Sequence, residues 1–267
     1  MASASGQSPT GFFTELGRSV ITLMEQVGGA GTLFFDALGY IARGQAHLRR
    51  TVAQMGIVGI DSLPIALLTL LFGGMVLGLH TAHQMVRFNA GGLVGGMVAV
   101  SVARELGPTL TGIVVAARVG SAMAAELGTM RVTEQVDALR SLATSPTEYL
   151  VVPRLLACAI MLPVLTVFAD LAGGLGAYFV ALAGGVRPAE YLLSARQWLQ
   201  FSDFFGGLSK TVVFGIIIAL VGCYQGLTTS GGAAGVGRST TRAVVYSIVL
   251  IYIANFFLSE LIFKLWR

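Results

Sequence analysis

The chain has 267 residues, of which 55% are hydrophobic and only 11% are charged, whereas roughly 25% of the residues in an ordinary soluble domain are charged. Its mean hydropathy of +0.79 excludes a disordered chain, a disulfide scaffold and a soluble globular domain. The net charge of +4 does not indicate a nucleic-acid binder, because no basic cluster exceeds the pair Arg49-Arg50. The composition is that of a membrane protein.

The N-terminal segment is predicted to lie on the membrane surface. Apolar residues recur at helical spacing from Phe12 to Ile41, which is typical of an interfacial helix. Polar residues interrupt any apolar run long enough to span, namely Glu15, Arg18, Glu25, Gln26 and Asp36. We expect the helix to break at the glycine-rich segment 28–31, and a sixth span is the alternative. Residues 1–50 are therefore assigned to this region and residues 51–267 to a transmembrane domain.

Five later segments are apolar over about the 20 residues that a transmembrane helix needs. They cover residues 63–82, 92–117, 150–183, 208–227 and 243–263. The sequence thus predicts an all-α integral membrane protein with one interfacial helix and five spans. Arginine is more frequent in the segments that share a side with the N-terminus, which predicts a cytoplasmic N-terminus and a periplasmic C-terminus.

Small residues within the spans predict how the helices pack. Glycines four residues apart on the first two spans indicate close helix contacts, within one subunit or with a second copy. These pairs are Gly74 and Gly78, Gly91 and Gly95, and Gly92 and Gly96. Cys158 and Cys223 lie within apolar runs and are predicted to be buried hydrophobic residues rather than a disulfide or metal ligands.

The segment between the second and third spans is abruptly polar. Thr133 is predicted to cap a short helix that carries Glu134 and Asp137 in its first turns and Arg140 near its end, as the helix dipole favours. Val136 and Leu139 lie three residues apart, on one side of this helix. The residues alone leave two interpretations open, an amphipathic cytoplasmic helix and a solvated connector.

Four stretches of the chain resemble the MlaE (YrbE) permease family. They are Arg104-Glu105-Leu106-Gly107-Pro108, ARVGSA at 117–122, AELGTMRVTEQVDAL at 125–139 and RSTTRAVV at 238–245. The resemblance covers roughly residues 45–267. It implies the membrane subunit of an ABC-type phospholipid transporter that helps to maintain the lipid asymmetry of the bacterial outer membrane.

The family resemblance also implies partners. These are a second copy of the chain in the inner membrane, an ABC ATPase that holds ATP and Mg, a periplasmic MCE-domain lipid-binding protein and a small cytoplasmic STAS-domain protein. The polar segment then becomes the coupling helix that docks on the ATPase, through Arg131, Thr133, Glu134, Gln135, Asp137, Ala138, Leu139 and Arg140. The chain has no G-x-x-x-x-G-K-[ST] phosphate loop, so it cannot hydrolyse ATP by that route and its energy must come from a partner or an ion gradient. We also expect no cofactor, metal or catalytic residue of its own.

Charged residues within the second span are the candidate site. A charge inside a span costs at least about 2.5–3.5 kcal/mol and indicates function by default. Arg104 could bind a lipid phosphate through two hydrogen bonds from its planar guanidinium group. Gly107-Pro108 follows in the chain, and the proline is expected to kink the helix and free a backbone carbonyl. The alternative is an internal network in which Glu105 bonds an arginine of another helix.

Other residues complete the predicted lipid pathway. Lys210 either lines the same cavity or extends to the membrane interface. Asp170 is expected to make a helix-packing hydrogen bond. The predicted wall for acyl chains consists of Met75, Leu77, Leu79 and Leu106.

An ion-coupled secondary transporter or channel is the competing function, with Arg104, Glu105 and Asp170 as relay groups. Transporters of that kind are often built from paired repeats with a broken helix in each half. Here only the second span combines a central break with adjacent charges, and five spans do not divide into equal halves.

Overall fold

The computed structural model describes the backbone of residues 9–45 and 47–265 and the side chains of residues 21, 24–45 and 47–264. Within these residues the chain forms α-helices and short 3₁₀ or π turns and no β-strand. The α-helices are α1 (Pro9–Ala42), α2 (Leu48–Gly59), α3 (Leu63–Arg87), α4 (Val94–Ser101), α5 (Gly107–Val115), α6 (Ser121–Val132), α7 (Gln135–Ser141), α8 (Val152–Ala183), α9 (Pro188–Trp198), α10 (Phe201–Leu227) and α11 (Gly232–Leu265).

Five helical stretches of the described chain are long and apolar enough to cross a membrane. In chain order we call them spans 1 to 5: Leu48–Arg87, Gly91–Val132, Thr147–Ala183, Phe201–Leu227 and Gly232–Lys264. They confirm the predicted all-α fold with five transmembrane helices. Their ends extend past the predicted apolar segments, because helical hydrogen bonding continues where the apolar composition stops.

Helix α1 runs without interruption from Pro9 to Ala42, so the predicted break at 28–31 is wrong. Gly29 instead permits a close approach, since a Cβ there would lie 2.5 Å from the Tyr224 hydroxyl oxygen. Ala37 is fully buried in the core. Apolar side chains of α1 that remain exposed are Met24, Val27, Phe35 and Leu38. The interfacial position stays a prediction, and the side chains of Glu15 and Arg18 lie outside the described residues.

Spans 1 and 3 pack with their backbones in contact. A Cβ at Gly74 would lie 2.0 Å from the Gly173 carbonyl oxygen, and one at Gly78 would lie 2.7 Å from the Ala177 carbonyl oxygen. Gly95 meets the backbone of α9 in the same way. The pair Gly74 and Gly78 therefore marks a close helix contact within one subunit. Of the other two pairs only Gly95 and Gly96 do so, because a Cβ at Gly91 would come no closer than 3.7 Å to another atom and one at Gly92 would meet nothing within 4 Å.

The centre of the bundle is formed by spans 2, 3 and 4. Cys158 in α8 and Cys223 in α10 are fully buried with free thiols, which confirms their prediction as buried hydrophobic residues. Phe214 and Ile218 of α10 are also fully buried there. Packing among these three spans fixes the position of α5, in span 2, relative to α10, which is span 4.

The polar segment between spans 2 and 3 contains a short helix, α7. Its apolar side is confirmed, since Val136 is buried in the core and Leu139 packs against it. The predicted cap is wrong, because Thr133 ends α6 and its hydroxyl donates to the Thr129 carbonyl at 2.8 Å. Glu134 takes a left-handed conformation with φ of 61°. This reversal separates α6 from α7, so α7 begins at Gln135 rather than directly after Thr133.

Candidate functional site

A cavity of about 380 Å³ opens between the interior of span 2, the first turns of span 4 and the last turns of span 5. Its lining consists of Arg104, Glu105, Gln200, Ser202, Asp203, Gly206, Gly207, Lys210, Ser259, Ile262 and Phe263. It lies at the end of the bundle where α9 leads into α10. Seven of these eleven residues have polar or charged side chains, although the helices that carry them are apolar.

A π-helical segment within the continuous helix of span 2 supplies the backbone part of this site. This segment, Val102–Leu106, precedes α5, and Pro108 has no N–H to offer the Arg104 carbonyl. The Lys210 ammonium donates to that carbonyl oxygen at 2.9 Å. Gly207 lets α10 come this close, because a Cβ there would lie 2.1 Å from the Ala103 carbonyl oxygen. Lys210 therefore satisfies a carbonyl that the proline leaves free.

Lys210 is also the centre of a hydrogen-bonded network across spans 2, 4 and 5. Its ammonium donates to Glu105 Oε1 and to Ser259 Oγ, both at 2.7 Å. Ser259 Oγ donates to Glu105 Oε1 at 2.9 Å, and Asn255 Nδ2 donates to Glu105 Oε2 at 2.8 Å. With the Arg104 carbonyl, all three N–H groups of the ammonium have partners. Lys210 is 3% exposed and lines the cavity, which is the first of its two predicted positions.

A second ion pair lies beside the first. Arg104 Nε donates to Asp203 Oδ1 at 2.7 Å, and Arg104 Nη2 donates to the same oxygen. Asp203 Oδ2 accepts from the Gln200 backbone N–H at 3.1 Å, which closes a capping box at the start of α10. The predicted internal network therefore exists, but Glu105 pairs with a lysine and not with an arginine.

Each pair has one buried and one half-exposed member. Side-chain exposure is 3% for Asp203 and Lys210, 48% for Arg104 and 50% for Glu105. Two cations and two carboxylates leave the site without net charge. Because the buried partners hold them in place, one guanidinium and one carboxylate face the cavity in defined positions, an arrangement that can bind and orient a polar ligand.

Comparison with known proteins assigns the chain that forms this site to a family. A family model described as Permease MlaE matches residues 51–261. The chain belongs to the MlaE permease family. This confirms the resemblance inferred from the motifs, which include Arg104 and Glu105 of the present site.

Several relatives of this chain are named probable ABC transporter permease proteins. A probable ABC transporter permease protein of Synechocystis sp. is 50% identical over 228 residues, which cover 84% of this chain and 86% of the relative. A protein of the same description from Rickettsia typhi is 41% identical over 250 residues, covering 93% and 96%. The chloroplastic protein TRIGALACTOSYLDIACYLGLYCEROL 1 of Arabidopsis thaliana is 42% identical over 225 residues, covering 84% and 64%. The MlaE permease is a transport component rather than an enzyme.

The structure of the permease brings together only part of the predicted lipid pathway. Arg104, Glu105 and Lys210 line one cavity. Leu77 and Leu106 pack in a separate apolar cluster between spans 1, 2 and 3. The predicted acyl-chain wall of Met75, Leu77, Leu79 and Leu106 lies outside the cavity lining. Its contact with lipid stays a prediction.

Asp170 of the permease does not make the expected hydrogen bond. Its Oδ1 is buried without a hydrogen-bond partner among the described residues, and it lies directly against Gly107, where a Cβ would be 1.6 Å away. The small glycine leaves room for the carboxyl group beside the π-helical segment. Asp170 is not part of the cavity lining that contains Arg104 and Glu105.

Sequence reasoning missed three polar residues that complete the site. Asp203 was overlooked at the start of span 4, although its position three residues after Gln200 is that of a capping box. Asn255 and Ser259 are four residues apart in span 5, which places them on one helix face. Two polar residues on one face of an apolar span are the signal that could have found them.

Proposed function

We propose that this chain is the membrane subunit of an ABC transporter that moves phospholipids between the bacterial inner membrane and a periplasmic MCE-domain partner. It acts as a homodimer and depends on a separate ATPase for energy. The carrying observation is the cavity in which Arg104 and Glu105 are half exposed while their counterions are buried. Charges in an apolar bundle are costly, and here they are kept accessible rather than fully shielded.

The size and chemistry of the cavity suit the headgroup end of a lipid. Ligand pockets commonly measure about 300–1,000 Å³, and the cavity of about 380 Å³ is at the lower end of that range. It therefore has room for a phosphate-bearing headgroup but not for two acyl chains. Ile262 and Phe263 at the lining supply apolar surface where the chains would leave. The acyl chains then run along apolar surface outside the cavity.

Lipid capture at the cavity is the experiment that tests this function. We expect a photoreactive benzoylphenylalanine in place of Phe263 to crosslink phospholipid in the purified complex, and the additional substitution Arg104→Gln to reduce that crosslink at least about fivefold. The matched control is the same probe at Phe257, which is exposed on the same helix but is not in the cavity lining. Its crosslinks should not change with Arg104→Gln. Equal crosslinking at position 263 with and without Arg104 would contradict the proposal.

Helix α7 supports the proposed coupling to the ATPase. Its buried side, Val136 and Leu139, anchors it to the bundle, while Asp137 pairs with Arg131 at 2.5 Å and with Arg140 at 3.0 Å. A helix fixed in this way transmits a push from a docked partner to span 2 and hence to the cavity. Two states of the cavity with different lipid affinity would then be coupled to the nucleotide state of the ATPase.

One pair of variants tests both the docking surface and the orientation of the chain. Ala138 is exposed on α7, and Ala189 is exposed on α9 at the opposite end of the bundle. We expect Ala138→Arg to reduce copurification of the ATPase and the STAS-domain protein at least about tenfold, because a bulky charge blocks docking. Ala189→Arg should leave both in place. Loss of the ATPase with Ala189→Arg alone would show that the orientation is inverted, and normal copurification with both would refute docking on α7.

A further inference from the structure

The charge balance of the cavity bears on which lipid it takes. Its cationic and anionic side chains neutralise each other in two pairs, Arg104 with Asp203 and Glu105 with Lys210. A purely anionic headgroup would find a guanidinium but would also bring its negative charge beside the half-exposed Glu105 carboxylate. A headgroup that carries both signs would meet an opposite charge at each end.

The free hydrogen-bonding capacity of Arg104 matches a phosphate. Its guanidinium has five N–H groups, of which Nε and Nη2 donate to Asp203. The Nη1 N–H groups and the second N–H of Nη2 make no hydrogen bond among the described residues. One Nη1 N–H and the second Nη2 N–H lie along one edge of the planar group, and two parallel donors of this kind bind a phosphate in bidentate fashion.

The free capacity of Glu105 matches a primary ammonium. Oε1 already accepts from Lys210 and Ser259, whereas Oε2 accepts only from Asn255. A carboxylate oxygen accepts about two hydrogen bonds, so Oε2 can take one more N–H donor. Glu105 is also adjacent to Arg104 in the chain, and both side chains line the same cavity. A headgroup that joins a phosphate to an ammonium through a short link has the chemistry that these two free groups require.

We propose that the cavity selects a zwitterionic phospholipid headgroup, with the phosphate on Arg104 and a primary ammonium on Glu105. This inference rests on the proposed function of lipid transport and names its preferred substrate class. Asp203 and Lys210 are positioning residues, because they fix the two half-exposed groups while their own side chains are only 3% exposed. Arg104 sets the affinity for every phospholipid, and Glu105 distinguishes one headgroup class from another.

The test is a competition in the purified complex. The complex is equilibrated in nanodiscs with equal amounts of phosphatidylethanolamine and phosphatidylglycerol, and the lipid that remains bound after extraction is identified by native mass spectrometry. We expect phosphatidylethanolamine to exceed phosphatidylglycerol about tenfold. Glu105→Gln should remove this preference, and Arg104→Gln should lower the retention of both lipids. The matched control is Glu260→Gln. Glu260 is an exposed carboxylate on α11 that pairs with Lys264, and it lies outside the cavity lining.

The outcomes separate this inference from the proposed function. Equal retention of both lipids, or an excess of phosphatidylglycerol, would overturn the headgroup assignment while leaving lipid transport intact. Retention of neither lipid by the folded, unaltered complex would overturn the proposed function and the inference with it. Displacement of the bound lipid by an equal concentration of soluble glycerophosphoethanolamine would show that a free phosphoester is the ligand, and would overturn the assignment to a lipid. An unchanged preference in Glu105→Gln would also overturn the assignment, provided that its melting temperature matches that of the unaltered complex.

Discussion

Lys210→Met is expected to abolish lipid transport and to lower the stability of the permease. The substitution keeps an unbranched chain of similar length but removes three donors, leaving Glu105, Ser259 and the Arg104 carbonyl without their common partner. A buried acceptor left unpaired costs about 1–3 kcal/mol. The discriminating measurements are ATP-driven lipid transfer from proteoliposomes and the melting temperature in detergent.

Lys264→Met is the matched control for this effect. The chain has only two lysines, Lys210 and Lys264, and Lys264 is exposed and pairs with Glu260 at 2.6 Å on the helix surface. A surface pair contributes about 0–1 kcal/mol, so transfer and melting temperature should be unchanged. If both substitutions had the same effect, or if Lys210→Met transferred lipid normally, the network around Lys210 would not be required.

Gly74→Ala is expected to prevent normal packing of spans 1 and 3. The new Cβ would lie 2.0 Å from the carbonyl oxygen of Gly173, and a backbone oxygen cannot rotate away as a side chain can. The helices must therefore separate, which costs about 1–3 kcal/mol or more and exceeds the helix propensity of roughly 1 kcal/mol that alanine adds. We expect a large fall in the yield of monodisperse protein and in its melting temperature.

Gly174→Ala provides the comparison on the facing helix. A Cβ at Gly174 would meet nothing within 4 Å, so the substitution should be neutral or raise stability by about 0.4–1 kcal/mol. Both variants insert the same methyl group into a membrane helix, and only its surroundings differ. A normal melting temperature for Gly74→Ala would mean that the two helices are not in backbone contact in the membrane.

The five spans and the apolar side of α7 could be predicted from the sequence because both depend on local composition. Bilayer thickness sets the length of an apolar helix, and helical periodicity places Val136 and Leu139 on one side of α7. The start of α7 could not be predicted in the same way. It depends on the left-handed backbone of Glu134, a conformation that non-glycine residues adopt uncommonly.

The glycine pairs show which part of the packing the sequence predicts and which part depends on the tertiary structure. Their spacing predicts a close helix contact, yet it does not say which helix is contacted. Packing on Gly173 and Ala177 of α8 is decided by how five helices arrange themselves. The predicted break at Gly29 is wrong for the same reason. Its small size allows Tyr224 to pack closely against α1, which continues through this position.

The sequence by itself determined that this chain is a five-span membrane protein with charges at Arg104 and Glu105. Apolar segments and the charged residues within them are local features, which can be read directly from the sequence. Only the tertiary structure decided what those charges do. Their partners, Asp203 and Lys210, are 99 and 105 positions away. Ion pairing depends on which helices are neighbours and on how each is rotated about its axis, and local composition constrains neither.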